Sequence, residues 1–182
     1  MLNQIRQHPI YQKTVQFMAS EHLLDDIHHI DIALSGGADS VCLLALLHTM
    51  QLDIPLRAHH IRHGLRDDAR DAEIAQKTAE LFDIEYIQTD LTWPDGIPQS
   101  NLEDHARKAR YHAFFSHLSK GSALALAHHG DENLETSLWR LGRGCGIEGF
   151  VLSPKRYERG IALIRPLLML SKDAIYTFLK EF

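Results

Sequence analysis

Residues 29–50, HIDIALSGGADSVCLLALLHTM, join a short apolar run, a glycine pair and a second, Leu-rich apolar run. The first run, residues 29–34, has the length of a buried strand, whereas residues 41–50 suit a buried helix better. Gly36 and Gly37 lie between the two runs, where glycine lets the backbone turn tightly and approach a ligand closely. The stretch therefore predicts a strand, a glycine loop and a helix, in that order.

The same alternation continues on both sides of this unit. Apolar runs and helical periodicity predict strands at residues 56–59, 84–88, 122–127 and 161–165 and helices at 11–24, 69–82, 131–141 and 171–182, with a further helix behind the tetrad Ser100-Asn101-Leu102-Glu103, which has the form of a capping box. Strands that alternate with helices of this length form βαβ units with a parallel sheet. We therefore expect an α/β, Rossmann-like fold: a five-stranded parallel sheet with helices on both faces.

Composition indicates an ordinary globular protein. The chain has 182 residues, of which 45% are apolar and 24% charged, and only two are cysteines. A domain of this length buries enough apolar surface to fold without disulfides. Neither a signal peptide nor an apolar run of the roughly 20 residues that span a membrane is present in the sequence. We expect a cytoplasmic protein that does not associate with membranes.

Charge is unevenly distributed along the chain. Residues 1–91 carry 7 basic and 14 acidic side chains, whereas residues 92–182 carry 12 and 10, within a total net charge of −5. Bulk electrostatic wrapping of nucleic acid is therefore excluded, but an RNA-facing patch in the second half is not. Lys155, Arg156 and Arg159 are candidates for RNA phosphate contacts, and a solvated loop is the ordinary alternative. The 13 histidines show no zinc-ligand spacing.

The loop SGGADS, residues 35–40, is the strongest candidate for a ligand site. Its backbone amides and the N-terminus of the following helix favour an anion, and the hydroxyls of Ser35 and Ser40 can donate to phosphate oxygens. Because it has no lysine, it is not a Walker A loop. Asp39 beside phosphates would repel them unless a divalent cation lay between, which predicts a Mg²⁺ ligand. A tight turn in which Asp39 merely caps the helix is the alternative.

This loop resembles the signature of the PP-loop ATP pyrophosphatases, whose fold is the adenine nucleotide alpha hydrolase-like type. Further segments are similar to the tRNA(Ile)-lysidine synthetases: His59 to Arg66 (HHIRHGLR), Asn101 to Tyr111, His128 to Thr136 (HHGDENLET), Arg143 to Gly146 and Arg165 to Leu168. These motifs span nearly the whole chain. The resemblance implies an enzyme that uses ATP and Mg²⁺ to activate C2 of the wobble cytidine of an isoleucine tRNA. Such an enzyme would then attach L-lysine through the ε-amine and release AMP and pyrophosphate.

Site residues follow from the resemblance and from their positions at strand ends. The expected nucleotide-binding residues are Ser35, Gly36, Gly37, Ala38, Asp39, Ser40, His59, His63 and His128; the expected catalytic residues are Asp39, Asp131, Glu135 and Arg107; and the expected metal ligands are Asp39 and Asp131. Asp131 and Glu135 share a helix face and would bind the lysine amine, or form a solvated first turn. Arg107 would bind a phosphate or the lysine carboxylate, or pair with Glu103.

Some features depart from the family pattern or leave its function open. Glu132, Asn133 and Cys145 stand where the family usually has Asp, Gln and Ser. A PP-loop tRNA thiolase and a non-catalytic ATP-binding module are the alternatives, although the chain contains no CxxC pair for sulfur chemistry. We expect a catalytic domain over residues 1–165, with a leading helix and connector at 1–28. Residues 166–182 would begin a linker helix toward tRNA-binding domains, and a homodimer is a candidate assembly.

Overall fold

The computed structural model of the chain describes residues 2–64, 68–93, 96, 100–131 and 152–182. Its helices are α1 (Leu2–Gln7), α2 (Pro9–Ser20), α3 (Ala38–Thr49), α4 (Ala69–Leu81), α5 (Leu102–Ser116) and α6 (Lys172–Glu181). Its strands are β1 (His29–Ala33), β2 (Leu56–Arg62), β3 (Glu85–Asp90), β4 (Ser122–Ala125), β5 (Lys155–Glu158) and β6 (Ile161–Ile164). In the described part of the chain, no helix is long and apolar enough to cross a membrane.

The strands form one sheet in the order β3-β2-β1-β4-β6-β5. All neighbours pair in parallel except β5, which runs antiparallel to β6. The five predicted strands are therefore confirmed, but the expected purely parallel five-stranded sheet is wrong by one strand. The sequence of β5, KRYE, lacks an apolar run because this strand lies at the edge and pairs on one side only. Lys155 and Arg156 consequently belong to a strand and not to a loop.

Alternating side chains of the central strands separate two apolar cores. Ile30 and Ile32 of β1 face a core built with α1, α2, α3, α4 and α6. On the other face, Leu124 and Leu163 pack against Ala113 and Phe114 of α5. The prediction of helices on both faces is confirmed, because successive residues of a strand point to opposite sides of the sheet.

Two local predictions differ from the structure. The single leading helix at 11–24 is wrong, because the chain forms α1 and then α2, with Pro9 as the first residue of the second helix. The capping box is also wrong: α5 is preceded by Asn101 in a left-handed conformation, without a side-chain cap.

The last helix, α6, packs on α3 with Ile175 and Phe178 buried in the main core. The domain division at residue 166 stays a prediction.

Candidate active site

A cavity of about 300 Å³ opens where the carboxyl ends of β1 and β4 meet. The chain order reverses at this point, because β2 lies on one side of β1 and β4 on the other. Ligands of open α/β sheets bind at such positions. The cavity is lined by Ala33, Leu34, Ser35, Gly37, Asp39 and Ser40 around the end of β1, His59, Ile61 and His63 of β2 and its end, Arg107, Arg110, Tyr111 and Phe114 of α5, and Leu126, Ala127 and His128 after β4.

Hydrogen bonds within the SGGADS loop hold it in a defined shape. The Ser40 hydroxyl donates to the Gly37 carbonyl at 2.8 Å, and the Ser35 amide donates to the Ser40 hydroxyl at 3.2 Å. The Gly37 amide donates to the Ser35 hydroxyl at 3.3 Å. Gly37 is the N-cap of α3 and supplies no side-chain cap. The first amides of the helix therefore face the cavity end of the loop without intrahelical partners.

Gly36 brings this loop against the beginning of α4. Its φ of +83° lies in the left-handed region that favours glycine. A Cβ atom at this position would overlap the carbonyl group of Asp71, whose carbon would lie 2.9 Å away. The close approach explains why the first glycine of the pair is required, while Gly37, with extended backbone geometry, has room for a methyl group.

Asp39 lies in the first turn of α3 and contributes to the cavity wall. It does not cap the helix, because the N-cap position belongs to Gly37. Its Oδ1 atom is sealed from solvent and has no hydrogen-bond partner among the residues that the structure describes. A buried carboxylate oxygen without a partner is costly, so this atom is suited to receive a ligand or a cation.

Helix α5 supplies cationic and aromatic groups to the opposite wall. Arg107 and Arg110 lie there together with Tyr111, and the Arg107 guanidinium carbon is 5.7 Å from the centre of the Tyr111 ring. Both Glu103 and Arg107 are exposed and form no ion pair with each other. The ordinary explanation of Arg107 as a helix-surface partner of Glu103 is therefore not realised. Arg107 is available to an anionic ligand.

His128 is held beside the cavity by Arg165, which follows β6. The Arg165 Nε–H group donates to Nδ1 of His128 at 3.1 Å. Burial, together with the positive charges of Arg165, Arg107 and Arg110, lowers the pKa of His128 to about 4. The ring is therefore neutral at physiological pH.

His59 and His63 occupy different environments at the end of β2. His59 is fully buried, and its ring nitrogens lie 3.4 Å from a carboxylate oxygen of Asp31 and 2.9 Å from the Thr89 hydroxyl. Burial lowers the pKa of His59. His63 also lines the cavity, and its backbone amide donates to the Asp68 carboxylate at 2.9 Å. His59 thus forms part of the cavity floor, with both nitrogens already engaged.

Asp131, the other predicted acidic residue that the structure describes, does not line this cavity. Asp131 is exposed, and its carboxylate accepts a hydrogen bond of 2.6 Å from the backbone amide of Lys172, at the first turn of α6. Glu135 lies outside the described residues, as do Glu132, Asn133 and Cys145. In the described part of the chain, no group of three or more His, Cys, Asp or Glu side chains could hold a metal.

Sequence reasoning missed an ionic cluster beneath the cavity floor. Asp31, in the middle of β1, is fully buried and accepts two hydrogen bonds of 2.9 Å from Arg57 and one of 2.8 Å from His29. Burial by itself would raise the pKa of Asp31, but hydrogen bonds from His59, Arg57 and His29 hold it below its ordinary value. The signal was a single aspartate inside the apolar run HIDIAL.

Known proteins of similar sequence share one name. A relative from Ruegeria pomeroyi named tRNA(Ile)-lysidine synthase is 32% identical over 174 residues, which are 93% of this chain and 41% of the relative. Relatives of the same name from Pseudomonas putida and Bacillus licheniformis are 39% and 36% identical over 81% and 91% of this chain. The chain spans 35% and 36% of their lengths, respectively. The resemblance noted from the motifs is thereby confirmed.

Solved structures share the fold at lower identity. A U34-tRNA thiolase from Methanococcus maripaludis, described with its 4Fe-4S cluster, superimposes with a TM-score of 0.75 at 20% identity. The superposition covers 94% of this chain and 62% of the thiolase chain. An NMN synthetase from Francisella tularensis superimposes with a TM-score of 0.61 at 17% identity, over 94% of this chain and 68% of the synthetase chain. The family model described as a PP-loop domain matches residues 7–182. Because this match covers nearly all of the sequence, the chain belongs to the PP-loop domain family.

Proposed function

We propose that this chain carries the catalytic part of an ATP-dependent tRNA(Ile)-lysidine synthase. In this reaction the C2 oxygen of the wobble cytidine attacks the α-phosphate of ATP and pyrophosphate leaves. The ε-amine of L-lysine then attacks C2 and displaces AMP. Relatives of that name at 32–39% identity support the proposal. The chain spans about two fifths of the length of the curated relatives it matches, so substrates, a cytoplasmic location and homodimer assembly are parts of the proposal.

The proposal rests on the Oδ1 atom of Asp39 in the SGGADS loop, which is buried and has no hydrogen-bond partner among the described residues. The loop offers amides at a helix N-terminus and two hydroxyls, which are suited to a pyrophosphate group. Membership in the PP-loop family supports ATP as the nucleotide. The loop from Ser35 to Ser40, with the amides of Gly36, Gly37 and Ala38 and the two serine hydroxyls, would bind the β- and γ-phosphates.

The residues present fit Mg²⁺ bound jointly by protein and nucleotide. Mg²⁺ commonly takes one or two carboxylates and completes its shell with phosphate oxygens and water. Asp39 would supply one such ligand, and the absence of a three-residue ligand group among the described residues accords with this mode. The cation would neutralise charge between Asp39 and the phosphates. Asp131 remains a proposed second ligand, for which its hydrogen bond to Lys172 would have to break.

The side chains of α5 and the segment after β4 would orient the other reactants. Arg107, which has no carboxylate partner on its own helix, would bind a phosphate oxygen or the carboxylate of lysine. Asp131 and Glu135 would bind an amine of lysine by charge. His59, His63 and His128 would contact the nucleotide from the floor and side of the cavity. All of these tasks are positioning and charge stabilisation, which preorganised dipoles perform well.

The cysteines argue against the thiolase alternative in this chain. A 4Fe-4S cluster is held by cysteine thiolates, typically four, whereas this sequence contains two cysteines. Cys42 is fully buried, and burial raises the pKa of its thiol to about 12, so it stays protonated. Cys145 lies outside the described residues. The release of AMP and pyrophosphate distinguishes an enzyme from a module that only binds ATP, because such a module would release neither product.

One incubation tests the proposal. The chain is mixed with ATP, Mg²⁺, labelled lysine and an isoleucine tRNA transcript that has cytidine at the wobble position. We expect label in the modified nucleoside together with stoichiometric AMP. Incorporation of cysteine-derived sulfur would favour the thiolase, and ATP binding without AMP would favour the binding module.

The variant Asp39→Asn tests the residue on which the proposal depends. Loss of a charge partner in a preorganised site typically reduces rate by about 10²–10³, so AMP formation should fall by that order while thermal stability changes little. Raised Mg²⁺ should restore part of the rate. Asp173→Asn is a matched control, because Asp173 also lies in a helical first turn but is exposed and does not line the cavity. Wild-type turnover in Asp39→Asn would refute the metal role.

A further inference from the structure

Arg165 is a buried cation that the proposed mechanism leaves without a task. It is only 2% exposed, and it forms no ion pair with any acidic residue that the structure describes. Its Nη1 atom donates to the Ser153 carbonyl at 2.7 Å, and its Nε atom donates to His128 at 3.1 Å. Burial of a cation without an anionic partner is unfavourable. The hydrogen bond from this buried guanidinium to a neutral ring therefore indicates that the bond fixes the state of the ring.

The contact with Arg165 determines where the His128 ring carries its proton. A guanidinium has five N–H donors and no acceptor, so the Nδ1 atom that receives it must keep its lone pair free of hydrogen. A neutral imidazole then carries its single hydrogen on Nε2. Arg107 and Arg110 on α5 face the same ring, and His129 is its chain neighbour; their charges oppose a second proton. The Nε2–H group is the polar end left for a ligand in the cavity.

We propose that Arg165 is a positioning residue that holds His128 in the Nε2–H tautomer, so that the ring donates a hydrogen bond to an anionic oxygen of the bound nucleotide. The same contact prevents His128 from serving as a general base, because its one lone pair is occupied by Arg165. The identity of the ligand rests on the proposed function. The tautomer does not, and it can be measured without any ligand.

Nitrogen NMR of the ¹⁵N-histidine-labelled wild-type chain, free of nucleotide, tests the tautomer directly. The His128 signals are assigned by their loss in His128→Asn. We expect Nδ1 to be the unprotonated nitrogen from pH 8 to pH 5.5. In Arg165→Gln, we expect Nδ1 to be free to carry the proton and the pKa of the ring to rise, because one of the charges that oppose protonation is gone while burial and the charges of Arg107 and Arg110 remain. A proton on Nδ1 in the wild type, or an unchanged tautomer and titration in Arg165→Gln, would overturn the proposal.

The pH profile of ATP binding, measured by calorimetry, tests the donor role. The wild-type affinity should carry no contribution from His128 between pH 7.5 and pH 5.5. In Arg165→Gln, the higher pKa of His128 should let more imidazolium form toward pH 5.5, and its charge-assisted bond to phosphate should raise ATP affinity at pH 5.5 by up to about tenfold relative to wild type in the same buffer. The double variant Arg165→Gln with His128→Asn should lose that rise. Parallel profiles for wild type and Arg165→Gln would refute the donor role.

Two further variants keep the test decisive. Arg165→Lys retains a cationic donor and should give a profile close to wild type even if Arg165→Gln does not fold. Lys13→Gln removes the same charge from an exposed position of α2 and should leave both the tautomer and the profile unchanged. If the chain binds ATP as described but forms no lysidine, the proposed function fails while the tautomer proposal stands.

Discussion

Replacement of His128 by Asn should remove part of the acid sensitivity of the fold. His128 has a pKa of about 4 in the folded chain, against 6.5 for an ordinary histidine. Between these two values the unfolded chain binds a proton that the folded chain does not, so the free energy of unfolding falls as the pH decreases. An asparagine can still accept the Arg165 hydrogen bond through its amide oxygen, but it does not titrate. The variant should therefore lack this contribution.

The size of the effect follows from the two pKa values. Their difference corresponds to roughly 3 kcal/mol at about 1.4 kcal/mol per pH unit. About 2 kcal/mol of this is already lost at pH 5, where the unfolded-state histidine is nearly fully protonated. Urea unfolding followed by circular dichroism at pH 7.5 and pH 5 gives the loss for each protein. The wild-type loss should exceed that of His128→Asn by about 2 kcal/mol.

Comparison across pH cancels any direct effect of the substitution on packing. His105→Asn changes an exposed histidine of α5 and serves as the matched control. Equal losses of stability in wild type and His128→Asn between pH 7.5 and pH 5 would show that burial beside Arg165 does not keep His128 neutral. The assignment of its tautomer would then lose its electrostatic basis.

Four other substitutions address the loop, the buried ion pair and the lysine site. Gly36→Ala should lower the free energy of unfolding by about 2–4 kcal/mol, because of its left-handed backbone and the clash with the start of α4, whereas Gly37→Ala should change it by less than about 1 kcal/mol in the same urea assay. Asp31→Asn should lower it by about 3 kcal/mol, because it leaves a largely buried arginine without its counterion; an unchanged urea midpoint would contradict this. Glu135→Gln should raise the KM for lysine far more than the Kd for ATP, and equal losses of both would assign Glu135 to the nucleotide or to the fold.

The strands β1, β4 and β6 were predictable because each lies in a mainly apolar run bounded by turn residues. Ile30 and Ile32 alternate with a buried polar residue, yet the overall run still predicts a strand. By contrast, β5 has no apolar signal, since an edge strand needs only one bonded neighbour. Its pairing depends on the turn at Arg159 and Gly160, where both residues have positive φ. Patterns within a segment do not reveal such a tertiary partner.

The placement of a residue at the cavity was predictable where it depends on local sequence, and it was not predictable where it depends on distant partners. The SGGADS loop carries its own turn residues and donors, so its position at the cavity was predictable from sequence. Arg57 and Asp31 are 26 residues apart, and their pairing follows from the register of two strands. Likewise, the role of Arg165 beside His128 depends on the adjacency of β4 and β6, which no spacing in the sequence encodes.

The hydrogen bonds that join Ser35, Gly37 and Ser40, together with the contact of Gly36 against α4, have a thermodynamic consequence for nucleotide binding. A loop already fixed in its binding geometry loses little conformational entropy when a ligand arrives. We therefore expect a small entropic penalty from the loop and no slow ordering step during association. If the hydrogen bonds between these hydroxyls and amides are disrupted, the loop has to become ordered when the nucleotide binds. The binding entropy should then be less favourable, while the binding enthalpy stays nearly constant.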